Sequence, residues 1–339
     1  MQLINNNAGN EHRNMLYLES HETDPAFNLA LEQYAFDTLS IKNDIFMLWQ
    51  NHDAVIVGLH QNTMQEVNMA FINDNNIPVI RRLSGGGAVF HDGGNLNFTF
   101  ITYQPDASAV DFESSCKPMA TALISMGVPV VFHGRNDMTV DMKKFSGNAR
   151  YYRNKRLMHH GTILFDVNLK NLAESLSVSD DKLISKGVKS VRARVTNLSE
   201  YLNMTVEEFW EKLRQIMAKD LPRYELTRQD IDAINIIKRE RYSTWEWNYG
   251  VSPGFSIEKK RRLDNFGAIR IAMEVSKGRI TSFATDGDYF GVMPYHDIAA
   301  ALHGVQLERN ALLDALSALE LNDYYENLTA EQLVSMILE

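Results

Sequence analysis

The chain has 339 residues, 45% of them hydrophobic and 23% charged, which places it among globular proteins and allows one large domain or two at roughly 150 residues each. The 34 Lys and Arg against 43 Asp and Glu give a net charge of −9, the wrong sign for holding nucleic acid by bulk phosphate neutralisation. The single cysteine, Cys116, excludes an internal disulfide and any multi-cysteine zinc or iron–sulfur site, and no apolar run approaches the roughly 18–20 residues of a membrane span. The expectation is a cytoplasmic protein.

Residues 1–14 read as a polar leader. Asp24 is placed to cap a helix that Pro25 opens, with Phe27, Leu31, Tyr34 and Leu39 at helical spacing. Residues 44–59 read as two strands around a polar turn at 50–53, followed by a helix around 64–74. The stretch 77–103 reads as a strand, a triple-glycine loop, a strand, a turn at 92–95 and a strand. An amphipathic helix over 112–126, further strands over 128–167, and helices over 205–219 and 227–241 follow. After the aromatic cluster Trp245, Trp247 and Tyr249, the residues Gly250, Pro253 and Gly254 mark a hinge at 250–254. Beyond it, strands over 256–284 and two or three helices over 296–338 suffice for a small α+β domain, 255–339. Residues 15–249 then form the main domain.

The strongest local signal is RRLSGGGAVFH, residues 81–91. Three glycines leave no side chains between the backbone amides and an incoming anion. They also permit positive φ, so successive N–H groups can converge. The arginines beside them supply planar donors for phosphate or carboxylate. A tight connection between strands would use the same glycines. Neither the P-loop nor the dinucleotide-binding pattern is present, and strands flank the loop on both sides, which argues against a P-loop ATPase or a dehydrogenase.

Two weaker signals follow. In GRNDMTVDMKKFSGNA, residues 134–149, Lys144 precedes a Ser-Gly turn and could present an ammonium to a phosphate; taken alone it reads as a solvated charge. Ser146 lacks the setting of a nucleophile. His159 and His160 are adjacent on an expected strand, so they point to opposite faces and do not chelate one metal. No structural metal site is expected. His160 is read either as a packed, hydrogen-bonded residue or as a site residue. Arg150, Arg153, Lys155 and Arg156 form one basic group, and Lys182, Lys186, Lys189, Arg192 and Arg194 another. Each is either an ordinary solvated face or a docking surface for an acidic partner.

Taken in order, RRLSGGGAVFHDGGN, GRNDMTV with KKFSGNA, HHGTILFDVNL, VRARVTNLSE and STWEWNYG resemble the lipoate–protein ligase A family, in its two-domain bacterial form. The resemblance runs from about Tyr17 to the C-terminus and is most specific in the first 250 residues. Gly93 departs from the leucine common at that place. The fold implied is α+β: a mixed-sheet catalytic domain of the biotin/lipoate ligase type, with a smaller C-terminal accessory domain. The activity implied has two half-reactions. Lipoate attacks the α-phosphate of ATP to give lipoyl-AMP and pyrophosphate; a specific lysine amine then takes the lipoyl group and AMP leaves.

By the same resemblance, Arg82, Gly87, Ala88, Val89 and Phe90 bind ATP. Ser84, Gly85, Gly86 and His160 bind lipoate. Lys144 is catalytic and touches both, acting through its charge and forming no covalent bond. Asn136 and Asp137 hold the adenylate or Mg2+. The partners implied are lipoyl domains of 2-oxoacid dehydrogenase E2 subunits or the glycine-cleavage H protein, and the chain is expected to act as a monomer.

Three rivals stand beside this reading. An octanoyltransferase or lipoyl transferase would need a thiolate and no ATP. Leu157 occupies the cysteine position of one transferase branch, so Cys116 is the only candidate. A biotin ligase would carry a G-R-G-R-x-G-R loop, which is absent. A non-catalytic lipoyl-domain binder would be free to lose Lys144 or the glycines, and all are present.

Overall fold

The computed structural model describes residues 14–61, 63–106, 111–134, 136–176, 194–249, 257–276, 279–306 and 309–338. The hinge at 250–254, residues 1–13 of the leader and the basic residues Lys182, Lys186, Lys189 and Arg192 lie outside them.

The chain begins with β1 (Met15–Glu19), α1 (Pro25–Asp37), β2 (Asp44–Trp49) and β3 (Ala54–Val57). Asp24 caps α1 as expected, its carboxylate accepting the Ala26 amide at 2.9 Å. The helix expected at 64–74 is instead two short ones, α2 (Thr63–Glu66) and α3 (Met69–Asp74). Asn68 separates them by capping the second through the Phe71 amide, which gives its backbone an alternative to continuing the helix. Then come β4 (Val79–Arg81), β5 (Val89–His91), β6 (Asn95–Tyr103), α4 (Phe112–Ser125), β7 (Val131–His133), β8 (Asp137–Val140), β9 (Lys143–Arg153), β10 (Arg156–Leu164) and α5 (Leu169–Ser175). The helices α6 (Val206–Ala218), α7 (Arg228–Ile237) and α8 (Trp245–Asn248) complete this part.

Seven strands form one mixed sheet in the order β1-β2-β6-β10-β9-β8-β7, parallel only between β1 and β2. A small sheet, β4-β3-β5, stands apart from it. The two strands read over 44–59 therefore belong to different sheets. Strand β2 shows why the large sheet is buried on both faces. Phe46 and Leu48 join a core with α4 and α6, and Ile45, Met47 and Trp49 join a second core with α1. The alternation continues in β6. Leu96, Phe98 and Phe100 face the first core, while Asn97, Thr99 and Ile101 face the α1 side.

The C-terminal part has an antiparallel sheet, β11 (Ile257–Leu263), β12 (Gly267–Ser276) and β13 (Arg279–Gly287), and its own core. Among the described residues its helices are four: α9 (His296–Leu302), α10 (Arg309–Leu316), α11 (Leu321–Tyr324) and α12 (Ala330–Leu338). The expectation of two or three missed the short ones, whose apolar periodicity is too brief to read.

This part packs directly on the glycine loop. Gly86 N–H donates to the Tyr289 carbonyl at 3.2 Å, and Gly287 N–H donates to the His60 carbonyl at 2.6 Å. The His60 ring stacks on Tyr289 at 4.8 Å, Phe290 packs against Phe112 at 5.2 Å, and Arg150 pairs with Glu326.

Candidate functional site

A cavity of about 110 Å³ lies between the large and small sheets. Its wall is built by Leu29 of α1, Trp49 of β2, Ile56 of β3, Val89 and His91 of β5, Asn97 of β6, Lys144 and Ala149 of β9, and His160 of β10. Glycines 86 and 87, Arg82 and Asn136 complete it, so the three separate sequence signals meet at one place. A cavity of this size suits a slim apolar tail.

The glycine loop joins the two outer strands of the small sheet and crosses the end of the central one. Gly58, just past β3, lies so close that a Cβ there would stand 2.0 Å from the Gly86 carbonyl oxygen. Within the loop only Gly86 has a positive φ, +92°. Gly85 is required for a different reason, since a Cβ would stand 2.7 Å from the Tyr289 carbonyl oxygen.

Two buried arginines hold this loop. Arg81 donates to the carbonyls of Gly58, Gln61 and Trp247 and to Thr63 Oγ1, at 2.7–2.9 Å. Arg82 donates to the carbonyls of Gly85 and Gly87 at 2.7 and 2.9 Å, to Ile56 O at 3.2 Å and to Ser84 Oγ at 3.0 Å. Burial pulls both guanidinium groups down to about 10, so both stay charged at neutral pH. Arg82 thus keeps a positive charge beneath the loop, with its hydrogen bonds taken up by loop carbonyls. Those carbonyls turn inward, and the amides of Gly87 and Ala88 donate to no backbone acceptor outside regular elements. Phe90 sits in the core of the small sheet and is not part of the cavity wall. Ser84 and Gly85 lie behind the wall.

Lys144 is about a third exposed, its ammonium 2.7 Å from an Asp137 carboxylate oxygen. A Cβ on Gly147 would stand 2.9 Å from that ammonium, so glycine at 147 lets the lysine lie flat across the strand. Asn136 lines the cavity and donates to the Asn148 carbonyl at 2.6 Å, while its own carbonyl accepts the Asn148 backbone and side-chain amides. It therefore fixes Asn148 as well as the wall.

The two adjacent histidines do point to opposite faces. His160 combines both readings given to it. It lines the cavity, and its two nitrogens are engaged: Nδ1 with Glu32 at 2.8 Å and Nε2 with Ser84 Oγ at 2.6 Å. Glu32 also accepts from Thr99 Oγ1 at 2.6 Å, and Thr99 Oγ1 from Trp49 Nε1 at 3.0 Å. His160 thus offers a bound molecule its ring and no free nitrogen. His159 faces α4, with its Nε2 3.5 Å from Cys116 Sγ. Cys116 is 1% exposed, and burial, with Asp111 and Glu113 nearby, pushes its thiol up to about 12. A thiolate nucleophile at neutral pH does not arise there.

Sequence reading missed Trp49, His91, Asn97 and Gly147. His91 lay in plain sight as the last residue of RRLSGGGAVFH, four past Gly87. Trp49 and Asn97 come from strands whose facing only the folded sheets decide. Of the first basic group, Arg150 pairs with Glu326, Arg153 with Asp37, and Arg156 lies over the Phe36 ring at 5.0 Å, so these three are tied into the fold. Among the described residues there is no cluster of three or more His, Cys, Asp and Glu able to hold a metal, and no helix is long and apolar enough to cross a membrane.

The sequence profile described as "Lipoyl protein ligase A/B catalytic domain" matches residues 24–218, and that described as "Bacterial lipoate protein ligase C-terminus" matches residues 252–337. A lipoate–protein ligase of Bacillus subtilis is 40% identical over 331 residues, covering 95% of this chain and all of the relative. Lipoate–protein ligase 1 of Staphylococcus aureus is 38% identical, covering 93% of this chain and 97% of its own length. Among solved structures, a Plasmodium falciparum protein in complex with lipoate superposes with a TM-score of 0.79 at 23% identity, over 96% of this chain and 99% of that one, which speaks to the fold. A bipartite lipoate–protein ligase of Thermoplasma acidophilum, described with its E2 lipoyl domain, gives 0.61 at 26% identity over 73% of this chain and 100% of that one. The biotin ligase and transferase rivals are not favoured, and the chain belongs to the lipoate–protein ligase family.

Proposed function

We propose that this protein joins lipoate to a lysine of lipoyl-domain proteins through lipoyl-AMP, using ATP. The observation that carries this reading is the junction, at one cavity, of an apolar slot, a glycine loop with inward carbonyls, and the partly exposed Lys144 at the mouth.

A carboxylate approaching ATP meets repulsion from the phosphates, and charge grows on the α-phosphoryl oxygens as the carboxylate oxygen bonds to phosphorus and the bond to pyrophosphate breaks. Donors fixed in place before the reaction stabilise that charge more than they stabilise the ground state. The Gly87 and Ala88 amides and the Lys144 ammonium are such donors, and the buried Arg82 charge adds its field from beneath the loop. Asn136 and Val89 border the same space. His160, backed by Ser84 and Glu32, holds the tail side of the wall. Lys144 leaves Asp137 for the incoming carboxylate and later for the acyl carbonyl. Asp137 then becomes free to face Mg2+. A single carboxylate plus nucleotide phosphates is a usual magnesium ligand set, and the ion would offset charge on the departing pyrophosphate. In the second half-reaction the acceptor lysine attacks the acyl carbon and AMP leaves.

The division into a catalytic domain at 15–249, a hinge at 250–254 and an accessory domain at 255–339 is part of this proposal. The two separate cores and the break between the two family matches support it. So is the choice of acceptor, an E2 lipoyl domain or the glycine-cleavage H protein, and action as a cytoplasmic monomer.

The test is lipoate-dependent ATP–pyrophosphate exchange, with Lys144→Ala beside the unaltered protein. Exchange that needs lipoate, and falls at least about 100-fold in the variant, is expected. No exchange with lipoate or octanoate would overturn the reading.

A further inference from the structure

Among the described residues, two buried donors in the cavity wall have no partner: His91 Nε2 and Asn97 Nδ2. Both residues are 2% exposed. A chain of side chains decides which His91 nitrogen carries the proton. Ser20 Oγ donates to Asn28 Oδ1 at 2.6 Å, and Asn28 Nδ2 then donates to the Glu22 and Gln50 carbonyls and to Asn51 Oδ1 at 2.8–2.9 Å. That leaves Asn51 Nδ2 as the donor to His91 Nδ1 at 3.1 Å. His91 Nδ1 is an acceptor, and the proton of the neutral ring sits on Nε2. Burial, with Arg82 and His160 nearby, holds this ring neutral by pulling it down to about 3. Asn97 Oδ1 accepts from Asn95 Nδ2 at 3.0 Å, which leaves its own NH2 without a partner. Trp49 lies between them, its ring 6.3 Å from His91 and its backbone paired with Asn97 across the sheet.

His160 makes the contrast. Its polar atoms are saturated, so it tolerates a hydrocarbon against its ring. His91 and Asn97 do not, because a methylene laid on a buried donor leaves that donor's desolvation uncompensated. Lys144 at the exposed mouth fixes the carboxylate end, so the buried donors meet the far end of the acyl tail.

We propose that His91 Nε2–H and Asn97 Nδ2–H2 recognise the two sulfurs of the dithiolane ring and make this enzyme select a sulfur-bearing tail over a hydrocarbon tail of the same shape. The proposal rests on the ligase reading above and goes beyond it by naming the groups that set tail specificity. Sulfur is a weak acceptor, but here it competes with no acceptor at all.

The test compares kcat/KM for pyrophosphate exchange with lipoate, octanoate and cyclopentyl-pentanoate, the all-carbon isostere of lipoate. The unaltered protein is expected to favour lipoate over the isostere by about tenfold, equivalent to about 1.4 kcal/mol. Asn97→Leu and His91→Leu are expected to shrink that ratio to about twofold. The ratio is a specificity readout that loss of folded protein does not move, and the comparison of acids on the unaltered protein needs no variant. Equal kcat/KM for lipoate and the isostere would overturn the proposal, as would an undiminished ratio in both variants. No exchange with any of the three acids would instead sink the ligase reading, and the tail assignment with it.

Discussion

At the scale of single residues, the site is a set of buried polar groups that determine one another. Glu32 is 2% exposed and accepts from both His160 and Thr99. Glu32→Ala strands two buried donors, so a loss of about 3 kcal/mol of stability is expected by urea denaturation. A loss below about 1 kcal/mol would mean that water or a neighbour repairs the gap. Cys116 is the converse case. Cys116→Ser places a small hydroxyl in a packed core and is expected to lower stability by about 1 kcal/mol while leaving pyrophosphate exchange intact. Loss of all acyl transfer to an acceptor lysine in a folded Cys116→Ser protein would reopen acyl transfer through the thiol. The sequence announced Lys144 and the glycines because charge and missing side chains are visible one residue at a time. It concealed that Lys144 rests on Asp137, and that Arg82 serves the loop carbonyls.

At the scale of elements, two of the three glycines in the loop have a reason to lack a side chain, and the two reasons differ. Gly86 needs a positive φ, and Gly85 needs room against Tyr289. A Cβ on Gly87 would meet only Asp288 at 3.9 Å. Gly85→Ala and Gly86→Ala are therefore expected to lower adenylation at least about tenfold, while Gly87→Ala stays within about threefold of the unaltered rate. Equal losses at all three positions would show that the loop requires flexibility rather than particular contacts. The departure at Gly93 is benign by the same measure, since a side chain there meets nothing within 4 Å. At Gly94 a Cβ would stand 2.0 Å from the Asp166 carbonyl oxygen. Local patterns showed strand, loop and strand correctly around these glycines. They did not show that β3 and β2, neighbours in sequence, belong to different sheets, because alternation says which residues are buried and not against what.

For the whole molecule, the contact between the C-terminal part and the glycine loop passes through a histidine. His60 is buried against Tyr289, and burial pulls it down to about 4; His91 and His159 are pulled down to about 3 by the same cause. All three lie below the unfolded value near 6.5. Between these values the unfolded chain binds more protons than the folded one. Stability tied to these rings is thus complete above pH 6.5 and is lost as pH falls toward 4 and then 3. The slope is up to about 1.4 kcal/mol per pH unit for each histidine. Urea midpoints at pH 7 and pH 5 check this, and His60→Phe is expected to flatten the difference. An unchanged midpoint between the two pH values would show that these rings accept protons without unfolding.

What the sequence determined by itself was chemical character and order: a charged, single-cysteine globular chain, a glycine loop between strands, a lysine two residues before a Ser-Gly pair that lies within β9 and not in the expected turn, and a family resemblance carried by those motifs. These are legible because each depends on residue type and short spacing. Only the tertiary structure decided that Trp49, His91 and Asn97 share a wall with Lys144, that His160 has no nitrogen to offer while His91 does, and that Tyr289 caps Gly86. Such facts depend on which strand faces which across two sheets. That is settled by the joint packing of distant segments and leaves no local period in the chain.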